Sequence, residues 1–386
     1  MLVYMAFLAV VVLIGIPMCR NRVGKAVYCS VAGAVLFVLA ATRKYTGYDY
    51  NLYAQVYVNY LSMTTEEIGE DRFEKGIAMP MKLLGDVLYR DYQWIFVIYA
   101  FFFALALMLI LYKTSDKPYL GVFFYITFGM YFISLNFMRQ MFASFIVVLG
   151  MRYIKTGQFF RYLIVVLFAS CFHLSAIVMI PFYFILRIKA NWISLAAFVG
   201  VGALIFIFSW DIIRILAQFI PKYGSTYLAE SQADSGEMSG SRFGIYTVFY
   251  GLCFLLVFLF RKRMQEKDPF NKIWINCMFF AFYFDLFSMK HNILGRLAIP
   301  FLIAASAIAL PKAFECLLEW CRDKFGSDRK KLTIASTVSI ATVCIMCVGI
   351  YGYMIGHNFN GVNPYQNIFD DTEWVNPRER WEKFEP

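Results

Sequence analysis

The chain has 386 residues, 60% of them hydrophobic and 16% charged, with a formal net charge of +10 and a mean hydropathy of +0.60. Soluble domains average about 45–50% apolar and about 25% charged residues, so this composition excludes a soluble enzyme, a nucleic-acid-binding module and a disordered chain. It reads as one integral membrane domain over residues 1–386, in which a basic excess reflects loop orientation rather than a nucleic-acid partner.

A helix needs about 20 mostly apolar residues to cross the hydrocarbon. In chain order the expected spans are Leu2–Cys19, Ala26–Ala41, Tyr92–Leu111, Tyr119–Leu135 and Phe137–Ile154. Trp192–Trp210, Phe243–Phe260, Ile273–Met289, Leu297–Leu310 and Leu332–Met354 follow. Leu2–Cys19 reads as a retained span rather than a cleaved leader, because its charges follow it. The nine cysteines sit mostly inside these apolar runs, where thiols behave as small hydrophobes, and they show no disulfide framework or metal-ligand spacing.

Phe159–Leu186 is too long for one untilted span and short for two, and loop charges decide between them. Arg20, Arg22 and Lys25 form a basic loop that belongs in the cytoplasm, as do Arg152, Lys155 and Arg161 and the five basic residues of Arg261–Lys272. These agree only if Phe159–Leu186 returns to the side it left, as a short helical hairpin turning near His173. The expectation is therefore an all-α, polytopic protein of about twelve membrane segments with both termini outside.

Two long outer loops follow from this arrangement, 42–91 and 211–241, with a polar outer tail over 355–386. The first holds an acidic patch (Glu66, Glu67, Glu70, Asp71) and an amphipathic stretch, Ile77–Leu88, expected along the interface. The second is polar and glycine-containing, which suits a lid. Lys312–Lys331 reads as a solvated cytoplasmic helix with a basic anchor. No Walker loop, GxGxxG, HExxH or DxD-type metal motif is present, and neither a cofactor nor a metal is expected.

Ionisable residues beside apolar helices are costly, so each needs a reason. Arg43, Asp49 and Tyr53 follow the second span. Arg139 lies between Asn136 and Gln140 with no acidic residue within twenty positions on either side. His173 is at the hairpin turn, Glu74 is in the first outer loop, and Asp285, His291, Asn292 and Arg296 surround a later outer turn. One arginine at a helix end can simply snorkel to headgroups. Several arginines and a histidine converging on one face instead suit a phosphate-bearing ligand, because guanidinium forks bind phosphate oxygens bidentately. Facing outside, where no ATP is available, that ligand is the pyrophosphate of a lipid carrier. Outer-loop tyrosines such as Tyr45, Tyr48 and Tyr57 offer faces and hydroxyls to sugar rings.

These elements resemble the EpsG-like branch of the Wzy-type polysaccharide polymerases. The resemblance is carried, in order, by Arg43-x3-Gly47-x-Asp49-x3-Tyr53, Glu74-x-Gly76, Asn136-x2-Arg139-Gln140, Phe172-His173-x-Ser175-Ala176, Arg296, and Asn363-Pro364-Tyr365. It implies a glycosyltransferase of the bacterial cytoplasmic membrane whose active site faces the cell exterior. Its substrates would be two undecaprenyl-diphosphate-linked oligosaccharides, one a donor and one an acceptor, with a chain-length regulator as a further candidate partner. It further implies that Arg139 and Arg43 bind the donor pyrophosphate and that Arg296 holds the acceptor's. His173 or Asp49 takes the acceptor hydroxyl proton. His173 is preferred, since a neutral imidazole is available near pH 7. Tyr53, Glu74, Asn136, Gln140, His291 and Tyr365 are expected at the substrate.

Two other classes compete. A membrane O-acyltransferase acting on polysaccharide would also use a buried histidine, but needs no outward arginines. A lipid-linked oligosaccharide flippase predicts internal pseudo-symmetry of the two halves, which the sequence does not show.

Overall fold

The structure, a computed structural model, describes residues 2–71, 73–87, 91–209, 211, 244–288 and 295–370. Among the described residues it is all helix apart from one isolated β-bridge, Arg43 to Asn367. The lid expected over 211–241 lies almost wholly outside the described residues, as do His291, Asn292 and the tail beyond 370.

The first third comprises α1 (Leu2–Met18), α2 (Arg22–Ala41), α3 (Tyr50–Ser62), α4 (Thr65–Glu70), α5 (Lys75–Val87) and α6 (Gln93–Thr114). Asn21 caps α2 by accepting from the Gly24 N–H at 2.7 Å, and Thr64 with Glu67 forms a reciprocal capping box on α4. The apolar side chains of α2 lie along α6. The amphipathic stretch expected at the interface is α5. Its buried stripe, Ile77, Ala78 and Met81, goes with packing against α3, while Leu83 and Val87 stay exposed.

Next come α7 (Pro118–Thr127), α8 (Met130–Asn136), α9 (Met138–Gly150), α10 (Arg152–Lys155) and α11 (Phe159–Ser170). What reads in sequence as one span, Tyr119–Leu135, is two helices bent by 62°. The break is at Gly129, whose φ of +74° suits glycine and where a Cβ would meet Met354 Sδ at 2.8 Å.

After α11 the chain turns at Cys171–His173 and comes back. Phe159, at the start of α11, packs on Tyr183 and Phe184, and the Tyr162 hydroxyl donates to the Met179 carbonyl. The hairpin inferred from loop charge is therefore present, with a difference in its return arm. That arm is a 3₁₀ helix, Leu174–Met179, followed by the single turn α12 (Phe182–Ile185). Pro181 interrupts it, and the β-branched run Ile177, Val178, Ile180 disfavours a longer α-helix.

The remainder is α13 (Trp192–Ile207), α14 (Ile245–Leu259), α15 (Arg261–Lys267), α16 (Asn271–Ser288), α17 (Ile299–Phe325) and α18 (Arg329–Gly356). The segment from Lys312, expected as a separate solvated helix, is instead the second half of α17. A π turn at Ala305–Ala309 lies just before Pro311, where a helix can take up a missing N–H, so the helix runs on.

Among the described residues four helices, α2, α6, α17 and α18, are long and apolar enough to cross a membrane, or up to six spans if the bent pairs α7–α8 and α14–α15 each count as one. Helices α1, α11 and α13 are apolar but shorter. The structure thus supports a multi-helix membrane protein but not the exact count of twelve, because uniform apolar runs are broken into short helices.

The loops sort to two ends. At one end Gln93 reaches Ala41 and Arg43, Asn136 reaches Asn360, and Glu74 meets residues 139 and 173. At the other, Lys25 pairs with Asp116, Lys155 with Asp268, and Lys267 with Glu319. This is the grouping expected from charge.

Candidate active site

Glu74 is the centre of the first end. It lies just before α5, and its main-chain carbonyl accepts from Ile77 and Ala78. Gly76 seats this corner on the hairpin turn. Its N–H donates to Cys171 O at 3.0 Å, and a Cβ there would lie 2.4 Å from the same oxygen, so no side chain fits. The result aims the Glu74 carboxylate between two helix termini.

One oxygen of Glu74, Oε2, accepts from Arg139 Nη1 at 2.6 Å. The other, Oε1, lies 3.1 Å from His173 Nδ1 and also accepts the Leu174 N–H at 3.2 Å, capping the 3₁₀ helix. The side chains are 11% (Glu74), 20% (Arg139) and 21% (His173) exposed, so the cluster is screened but reachable. Burial alone would push the Glu74 carboxyl up. The hydrogen bond from His173 and the charge of Arg139 outweigh it and hold the group down at about 2. Glu74 is therefore an anion at neutral pH and can only accept, so the imidazole meets it through a protonated Nδ1.

Arg139 is the second residue of α9. Its N–H, unpaired within the helix as first-turn donors are, points to the Tyr53 hydroxyl oxygen at 3.4 Å. Its guanidinium stacks 3.9 Å over the Phe73 ring, and its Nε is buried with no hydrogen-bond partner among the described residues. One guanidinium nitrogen is thus held by Glu74, and the Tyr53 hydroxyl also interacts with the Arg139 side chain. The positive end of the α9 dipole adds to the Arg139 charge.

Arg43 behaves differently. It is 2% exposed, and its Nη1 donates to Leu135 O at 2.5 Å and Thr46 O at 3.1 Å. Leu135 is in the last turn of α8, where carbonyls lack helical partners and a cation is favoured. The guanidinium also lies over Phe96 and Tyr50. Burial pushes Arg43 down to about 10, still a cation at neutral pH. Its donors face two main-chain oxygens and, from Nη2, the Met138 sulfur at 3.4 Å, and not open space, so the geometry makes it a brace of the α8–α9 corner.

Asp49 precedes α3 and is half-buried. Its N–H donates to Asn136 Oδ1 at 3.2 Å, but its carboxylate caps nothing. Burial pushes the Asp49 carboxyl up, against the opposing charges of Arg296, Arg139 and Arg43. Arg296 is exposed over the Phe137 ring, and its carbonyl accepts from Gln140 Nε2 at 2.7 Å. Below the cluster α9, the 3₁₀ helix and the start of α17 enclose a slot of about 10 Å³, lined in part by Gln140, Ser144 and Ser175. That is room for about one water, so a large ligand has to lie above the slot.

Of the expected site residues, Glu74, Arg139, His173 and Tyr53 come together, with Asp49 and Arg296 close enough to share their field. Asn136 and Tyr365 are scaffold: Asn136 Nδ2 donates to Phe132 O and Asn360 O, and the Tyr365 hydroxyl donates to Leu39 O. Asp285 accepts from Thr247 at 2.9 Å, away from the cluster, and His291 lies outside the described residues.

Three contributors were not singled out from sequence. Phe73 floors Arg139. Gln93 donates to Ala41 O and Arg43 O and accepts from Tyr50. The segment 358–368 laces onto 42–48, with Gly47 N–H to Gly361 O, Lys44 N–H to Gln366 O and Ile368 N–H to Thr42 O. A polar glutamine opening an apolar run was a visible signal; for the lacing, Asn363-Pro364-Tyr365 stood out in the sequence but the pairing with 42–48 did not.

The chain belongs to the EpsG family, whose model matches residues 26–367. No curated protein and no solved structure matches it. Membership places it among multi-pass membrane proteins of polysaccharide biosynthesis, with Wzy-type polymerases as the known kind of the family.

Proposed function

We propose that this EpsG-family chain is a glycosyltransferase that joins oligosaccharide units carried on undecaprenyl diphosphate at the outer face of the bacterial cytoplasmic membrane. The observation that carries the reading is Glu74, bonded through one oxygen to His173 and through the other to Arg139.

In the reaction, an acceptor sugar hydroxyl attacks the anomeric carbon of the donor. The bond from that carbon to the diphosphate oxygen breaks, its electron pair goes to the diphosphate, and the hydroxyl proton goes to His173 Nε2. Glu74 holds the tautomer that leaves Nε2 free and stabilises the imidazolium formed. The charge of the Arg139 guanidinium, with the α9 N-terminus, offsets the charge growing on the diphosphate and lowers the barrier electrostatically. Exposed Arg296 suits the second diphosphate. Asp49, with no hydrogen bond to its carboxylate among the described residues, suits a sugar hydroxyl. Arg43 acts from below by fixing where α9 begins.

The test is purified full-length protein in nanodiscs supplied with a lipid-linked repeat unit, read as a glycan ladder on a gel. His173→Ala abolishes the ladder. Arg139→Lys reduces it severely, because an ammonium cannot hold Glu74 and a phosphate as a planar fork does. A wild-type ladder from His173→Ala removes the basis for the mechanism.

A further inference from the structure

The far end of the bundle holds a cavity of about 610 Å³ that the proposed reaction does not use. Gly150, on its wall, is 11 residues along α9 from Arg139, about 17 Å at 1.5 Å per residue. Four cations from three elements line it: Lys113 at the end of α6, Arg152 and Lys155 in α10, and Lys312 in α17. Asp268 is the one carboxylate on its wall, and it is taken by Lys155 at 2.8 Å. Lys113, Arg152 and Lys312 have no acidic partner within ion-pair distance among the described residues. Arg152 makes only a bond to the neighbouring Tyr153 hydroxyl, at 2.6 Å.

A basic membrane face is expected from orientation alone, but its charges normally stand out in water. Here Lys113, Arg152 and Lys155 are exposed at the rim, while Lys312 is only partly exposed and faces the half-open cavity, where a cation gains from an entering anion. The rest of the wall is apolar, including Leu109, Ile146, Leu149 and Val165. Leu109 also ends an exposed apolar row on α6 with Phe101 and Leu105, and α11 carries a second row, Phe160, Ile164 and Phe168. Helices α6 and α11 both pack on α9, and each gives an apolar side chain, Leu109 and Val165, to the cavity wall.

We infer that this cavity binds the phosphate headgroup of an anionic phospholipid from the leaflet at that end, with its acyl chain along the apolar rows of α6 and α11. Cations around a pocket recognise phosphate, and apolar rows beside it recognise a tail. A free phosphate uses only the first feature.

The experiment is native mass spectrometry of the purified full chain after exchange into detergent with phosphatidylglycerol, phosphatidylcholine or inorganic phosphate. The expected result is retained phosphatidylglycerol, little phosphatidylcholine, and no displacement of the lipid by millimolar phosphate. Each cation removed near a headgroup weakens such binding about fivefold, so Arg152→Gln with Lys312→Gln lowers retention about 25-fold. Arg329→Gln with Lys330→Gln, the same charge change at the exposed start of α18, leaves it within about twofold. Leu109→Trp crowds the apolar wall while keeping every charge, and it also lowers lipid retention; melting profiles confirm that each variant is folded. Unchanged retention in the cavity pair or in Leu109→Trp overturns the assignment. So does equal loss in the α18 pair, or displacement of the lipid by inorganic phosphate.

Discussion

Replacing Glu74 with glutamine is the sharpest single perturbation, because it removes a charge while keeping a shape. Glutamine can still offer one carbonyl oxygen to Arg139 or His173, but not two anionic oxygens to both at 2.6 and 3.1 Å. Removing one member of a fully buried ion pair costs about 3–5 kcal/mol. These side chains keep some solvent contact and glutamine saves one hydrogen bond, so about 2 kcal/mol of stability is the expected loss. The catalytic loss is larger. Without the anion nothing fixes the imidazole proton on Nδ1, and a misoriented base forfeits most of the 10²–10⁴-fold that general base catalysis typically contributes, about 10²-fold or more here. Pulse proteolysis reads the first effect and initial rates of ladder formation the second. The pH dependence follows from the held-down carboxyl. A group whose folded value, about 2, is below its ordinary 4.5 stabilises fully above 4.5 and loses that contribution as pH falls towards 2. The Glu74 contribution to the stability gap between wild type and Glu74→Gln is therefore lost as pH falls below about 4.5. A variant with a rate within about threefold of wild type and unchanged stability refutes the role given to Glu74.

Three further outcomes follow from the same geometry. Arg43→Gln removes donors to two main-chain carbonyls and leaves Leu135 O without this partner, costing about 2–4 kcal/mol by proteolysis, with lipid-diphosphate affinity unchanged in whatever protein stays folded; a fall in affinity without a fall in stability would make Arg43 a ligand instead of a brace. Gly76→Ala puts a Cβ 2.4 Å from Cys171 O and lowers both stability and ladder formation, whereas Gly352→Ala, with open space around it, changes neither; equal effects from the two would show that the corner does not depend on close approach. Asp49→Asn keeps the fold, since its carboxylate caps nothing, and raises the substrate concentration needed for half-maximal rate by about tenfold while the fall in rate at low pH, where the base is protonated, persists; loss of that fall would transfer the base from His173 to Asp49.

The membrane class and the sorting of loops to two ends were legible because they depend on local composition and on charge counted over short loops. The hairpin at His173 was legible for the same reason, although its 3₁₀ return arm was not, since length alone does not separate an α arm from a tighter one. The isolation of Arg139 in sequence pointed to a function, but its partner is 65 positions upstream and nothing near either residue encodes the pairing. Arg43 shows the opposite failure. Its position after a span suggested a fork facing out, and only the fold shows that it turns inward to the end of α8. The continuity of α17 was hidden because a proline and a lysine resemble a helix end, while the π turn that absorbs the proline has no signature of its own. The lacing of 358–368 onto 42–48 depends on register between segments more than 300 residues apart, which local sequence does not carry.

The account turns on whether Glu74, His173 and Arg139 form the centre where a sugar leaves its lipid diphosphate. Counting released undecaprenyl diphosphate against glycosidic bonds formed, with the purified protein and one defined lipid-linked repeat unit, tests this most directly. One carrier diphosphate per bond is expected from wild type, and none from His173→Ala under conditions where that variant still binds the substrate. Bond formation without carrier release, or release that persists at the wild-type rate in His173→Ala, would contradict it.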